Sequence, residues 1–85
     1  GMNHCSGGPA ADQFDMLTPL VAWVEQGQAP AAIVATARDA SNVLPNAEVP
    51  TSWGAGRTRP LCPYPQVARY NGSGDVNSAA SFSCR

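Results

Sequence analysis

His4 is the one histidine of the chain, and Cys5 follows it directly within Gly-Met-Asn-His-Cys-Ser-Gly-Gly-Pro, residues 1–9. An imidazole with an ordinary pKa of about 6.5 can accept a proton near neutral pH and hand it back. The thiol beside it can attack, bind a metal or close a disulfide. Against these stands the plain possibility that a single histidine is structural or simply solvated. His4, Cys5, Cys62 and Cys84 make four potential zinc ligands, the usual count. No Cys-x-x-Cys occurs, however, and an adjacent His-Cys is a poor chelating pair. A Cys5 nucleophile served by His4 fails on geometry. Ser6 lacks the Gly-x-Ser-x-Gly elbow that presents a nucleophilic serine, and two residues of separation rarely let a serine meet its own base.

Three cysteines cannot all pair within one chain. Cys62 and Cys84 bracket the C-terminal stretch and make the natural internal pair. Cys5 must then bond outside this chain or stay free. The odd cysteine is therefore the one beside the histidine.

The remaining composition narrows the function classes. Eighty-five residues allow at most one small domain. Alanine supplies fourteen of the apolar positions, and Leu, Ile, Val and Phe together supply only fourteen more. That is about a sixth of the chain, below the ~20% at which an independent globular core becomes doubtful. Charged residues make up only 13%, so charge-driven disorder does not explain it. Such a chain needs disulfides or a larger body to pack against. Five arginines, no lysine and six acids, with net charge -1, leave no basic footprint for nucleic acid. No apolar run approaches the ~20 residues that cross a membrane.

The elements that must position His4 follow from periodicity. Residues 1–12 read as loop. Phe14, Leu17, Val21 and Val24 fall at three- and four-residue steps, which predicts an amphipathic helix ending at Gln26-Gly27. Pro19 admits two starts, near Asp15 or at Pro19 itself with Thr18 as cap; the phase of Phe14 and Leu17 favours the longer helix. Asp12 and Asp15 then act as helix-end charges. Residues 31–37 (Ala-Ala-Ile-Val-Ala-Thr-Ala) suggest a short strand, and residues 39–56 a polar surface loop. Pro60, Pro63 and Pro65 impose an extended, largely unpaired course, an edge at best. Asn-Gly-Ser-Gly-Asp (residues 71–75) is a turn that carries the chain back towards Cys62. A single apolar stripe cannot bury itself, so the helix needs a partner that this chain does not convincingly supply. A loop histidine, a small-residue turn and a packing helix is how the base is placed in α/β-hydrolases, where nucleophile and acid precede the histidine in chain order.

Residues 1–30 (GMNHCSGGPAADQFDMLTPLVAWVEQGQAP) and residues 57–84 (RTRPLCPYPQVARYNGSGDVNSAASFSC) resemble the C-terminal part of the tannase and feruloyl esterase family. Gly-Met-x-His-Cys and Arg-Pro-Leu-Cys-Pro-Tyr-Pro are distinctive and stand in the expected order; residues 36–56 carry no recognised motif. The resemblance implies an α/β fold, this chain being the C-terminal part (residues 1–85) of an α/β-hydrolase catalytic domain. The expected pieces are a catalytic-His loop, one amphipathic helix, a short strand and a disulfide-stapled extended tail, with no independent fold. The N-terminal half and the lid domain would lie outside it.

The resemblance further implies that His4 is the general base of a serine esterase. Cys5 would bond to a cysteine next to the nucleophilic serine, in the missing region. A disulfide holds two Cα atoms about 4.4–6.8 Å apart, which keeps the neighbouring imidazole and hydroxyl within reach of each other. The implied substrates are small aromatic esters, phenolic or terephthalic, and the implied partner is the rest of the same enzyme, without which this chain is inactive. No cofactor is expected here, any structural calcium of the family belonging to the lid. The disulfides imply a secreted or periplasmic location. The competing reading is a small secreted, disulfide-stapled binding module using Trp23, Trp53, Tyr64 and Tyr70. Of these Trp53, in a glycine-rich loop, is expected to be the most exposed.

Overall fold

Proline and glycine set most of the boundaries in this chain. The computed structural model describes residues 1–85 as β1 (Ala11–Gln13), α1 (Leu17–Gln26), β2 (Ile33–Ala37), β3 (Thr58–Leu61), β4 (Ala68–Tyr70) and β5 (Phe82–Cys84). Single 3-10 turns lie at Thr51–Trp53 and Ala79–Ser81. One sheet runs β1-β2-β3 and the other β4-β5, and every pairing is antiparallel.

Helix α1 begins later than its apolar phase predicts, and Phe14 stands ahead of it. Pro19 is the third helical residue, inside the first turn, where backbone N–H groups have no intrahelical acceptor to lose. Asp15 closes the start, its Oδ1 accepting from the N–H of Leu17 (2.9 Å) and of Thr18 (3.1 Å), the expected helix-end role. Gly27 ends the helix with φ 67°, a left-handed geometry that favours glycine, and its N–H donates to the Trp23 carbonyl at 3.1 Å. No residue of α1 is buried, and Leu17 and Val24 are 69% and 77% exposed. The apolar stripe is real, and nothing within these residues covers it.

The predicted strand over 31–37 is β2, the centre of the larger sheet. Ala35 and Ala37 point to one face and are buried with Val49, so the core is made of small side chains. Residues 1–12 are not all loop: Ala11 pairs with Ala37 and Gln13 with Thr36, with a bulge between them. The proline-rich stretch pairs more regularly than expected. Pro60 sits in β3 opposite Val34, tolerated because β3 is an edge strand and a missing donor there breaks no second ladder.

Cys62, just past β3, is bonded to Cys84 in β5, with Cα atoms 5.5 Å apart. This staple joins the two sheets. It closes a loop of 22 residues in sequence, which removes about 3 kcal/mol of denatured-state entropy in the loop-closure treatment. A Cys62→Ser/Cys84→Ser variant is expected to lose about that much stability. Chemical denaturation of the protein checks this, and an unchanged midpoint would refute it.

Candidate functional site

The His4 loop is a tight turn. The Asn3 N–H donates to the Gly7 carbonyl at 3.1 Å, closing a turn over His4, Cys5 and Ser6, all three exposed. Cys5 takes φ 70°, unusual for a residue with a Cβ, so the turn is held by its surroundings and not by local preference. Gly8 (φ 73°) is buried, and a Cβ there would run into the Gly1 carbonyl oxygen and crowd the Asn3 backbone N at 3.1 Å. Only glycine fits.

Those surroundings are polar and come from three separate segments. The Gly7 N–H donates to Asp12 Oδ2 at 2.7 Å, and the Gly8 N–H to Glu48 Oε2 at 2.8 Å. Asn46 Nδ2 donates to the Gly8 carbonyl at 2.9 Å. Behind the loop Arg38 grips Asp12 with a two-pronged fork, Nε to Oδ1 at 2.8 Å and Nη2 to Oδ2 at 2.7 Å. The Asp12 side chain is 0% exposed and that of Arg38 20%. The Arg38 hydrogen bonds, with help from the Gly7 N–H, hold the Asp12 carboxyl at about 2 despite its burial. Arg38 also donates from Nη1 to the Leu44 carbonyl at 2.8 Å, and its own carbonyl accepts from the Asn46 N–H at 2.8 Å.

Residues 39–54 themselves line an open cavity of about 510 Å³, with Asp39, Pro45, Asn46, Val49 and Thr51 among its walls. Asp39 is held at about 2 by the Ser41 hydroxyl and by the N–H groups of Gly56 and Ser41. A carboxylate so occupied builds turns and does not shuttle protons.

The sequence model of the family described as tannase and feruloyl esterase matches residues 1–85. The chain belongs to the tannase and feruloyl esterase family. It is 60% identical over 85 residues to the mono(2-hydroxyethyl) terephthalate hydrolase of Piscinibacter sakaiensis, covering 99% of this chain and 12% of that protein. A probable feruloyl esterase of Arthroderma benhamiae is 46% identical over 86 residues, covering 99% of this chain and 14% of the relative. An uncharacterized esterase of Xanthomonas campestris pv. campestris is 38% identical over 99 residues, covering 99% and 16% respectively. The chain thus spans 12–16% of the length of these relatives.

Within this tannase-family chain His4 and Cys5 share one exposed loop, and Cys5 is a free thiol. Cys62 and Cys84 are bonded to each other, so the four-ligand zinc set is not brought together. No three His, Cys, Asp or Glu side chains converge to hold a metal ion. No helix is long and apolar enough to cross a membrane.

Asp12 is not a helix-end charge. It lies in β1 and its carboxylate faces Arg38 and the His4 loop, because the chain reverses into α1 only after Gln13. Trp53 is not the most exposed aromatic residue. Arg57 stacks on its ring at 4.0 Å, leaving it half-buried, whereas Tyr64 is 97% exposed. Sequence reasoning missed Arg38, Asn46 and Glu48. A charge closing an apolar strand, as Arg38 closes β2, was the one available signal.

Proposed function

We propose that this segment supplies the general base of a serine carboxylic-ester hydrolase acting on small aromatic esters. His4 is that base. The observation that carries the reading is the free, exposed Cys5 beside His4 on a loop built by glycines and held by carboxylates. The segment belongs, on this reading, to the C-terminal part of an α/β-hydrolase domain whose nucleophile, acid and lid lie elsewhere in a longer enzyme. Cys5 bonds there to a cysteine next to the nucleophilic serine and so holds the hydroxyl near the imidazole.

His4 accepts the serine proton as the oxygen attacks the ester carbonyl, then donates it to the departing alkoxide. Water then takes the alcohol's place: His4 accepts its proton, the acyl–oxygen bond to serine breaks, and the serine recovers a proton as the acid departs. The internal disulfide favours an oxidising, secreted or periplasmic setting.

The test uses the whole enzyme with three ester classes: mono(2-hydroxyethyl) terephthalate, a feruloyl ester and a gallate ester. Chromatography of the released aromatic acid is expected to show turnover of at least one. Hydrolysis of none would overturn the assignment.

A further inference from the structure

We propose that Glu48, presented by Asn46, is a positioning residue for His4, an inference that rests on the general-base reading above. Gly7 and Gly8 have consecutive positive φ values of 83° and 73°, so neighbouring N–H groups open towards acceptors. Here both donors are already taken by carboxylates of the chain, Asp12 on Gly7 and Glu48 on Gly8.

The two carboxylates differ in what else they do. Asp12 is buried and paired with Arg38, a bond the sheet itself needs. Glu48 is exposed and has no cationic partner; its carboxylate bonds to the Gly8 N–H, 40 residues away in sequence. Asn46 makes that reach possible. Its Oδ1 accepts from the Glu48 N–H at 3.0 Å, turning the chain, while its Nδ2 holds the Gly8 carbonyl at 2.9 Å. Both polar groups of Gly8 are therefore clamped from one short arch.

The clamp reaches His4 through direct packing. Gly8 lies against the backbone of Gly1 and Asn3, close enough to exclude a Cβ. Asn3 in turn closes the turn that carries His4. A shift of Gly8 moves the residue next to the imidazole. Misplacing a catalytic group by about 1 Å costs up to about 100-fold in rate.

The experiment compares Glu48→Ala, Glu48→Gln and His4→Ala in the whole enzyme on an aromatic ester that the wild type hydrolyses. Glu48→Ala is expected to lower kcat about 10-fold or more, with KM within about twofold and the thermal midpoint unmoved. Glu48→Gln keeps an oxygen acceptor for Gly8 and is expected to recover most of that loss. Wild-type kcat in Glu48→Ala would overturn the proposal. So would equal losses in both Glu48 variants, or a loss that follows a falling thermal midpoint. Full activity in His4→Ala would instead sink the general-base reading, so the two failures are distinguishable.

Discussion

His4→Ala is expected to lower kcat of the whole enzyme by about 10⁴-fold or more, with a much smaller change in KM. A serine hydroxyl is a poor nucleophile until a base takes its proton during attack. The same base must then protonate the leaving alkoxide, so both halves of the reaction lose their proton carrier at once. On the proposed general-base role the imidazole meets only the reacting oxygen, and for that reason ground-state binding of the ester is expected to survive its loss. Residual rate then comes from oxyanion stabilisation and binding alone. Steady-state release of the aromatic acid measures this directly. Retention of a tenth of the wild-type kcat or more would exclude His4 as the base.

The second large effect is on stability. Asp12→Asn keeps the size of the side chain but offers one acceptor where two oxygens now accept from three donors. Whichever oxygen becomes the amide nitrogen, an Arg38 N–H then faces it, and if that oxygen is Oδ2 the Gly7 N–H does as well. Breaking a buried ion pair costs about 3–5 kcal/mol, and the partial exposure of Arg38 puts this one at or below the lower bound.

The same pair dictates a pH dependence. The Asp12 carboxyl is held at about 2 in the folded chain, against about 3.9 for an unperturbed aspartate. A depressed value means that the unfolded state binds the proton first. The stabilisation is present above about pH 4 and is lost as pH falls through about 2. The gap in thermal midpoint between wild type and Asp12→Asn is therefore expected to be widest near neutrality and to narrow between pH 4 and 2. A gap that stays constant across that range would refute the assignment.

Local signals were legible in the sequence. The spacing of Leu17, Val21 and Val24, the glycine at position 27, and the β-branched run after Pro30 announce α1 and β2 because each rests on neighbours in the chain. Asp12 was misread because it stands close to the helix, whereas its partner Arg38 is 26 residues away. No periodicity reports such a pairing. β1 is only three residues long, too short for alternation to register. Glu48 and Asn46 bind backbone groups, which any polar residue in a proline-rich loop could do. Trp53 looks exposed from its glycine neighbours, and the stacking of Arg57 becomes visible only once the loop has folded back. His4 and Cys5 stand out by residue type alone, whereas the carboxylates that hold their loop come from segments distant in the chain.

Leu17, Leu20, Trp23 and Val24 leave α1 with a greasy wall open along its length. A lysine placed on that wall would weaken its grip on an apolar neighbour. A substitution on this face is consequently felt in how firmly the segment docks, and scarcely in the polar turn that carries His4.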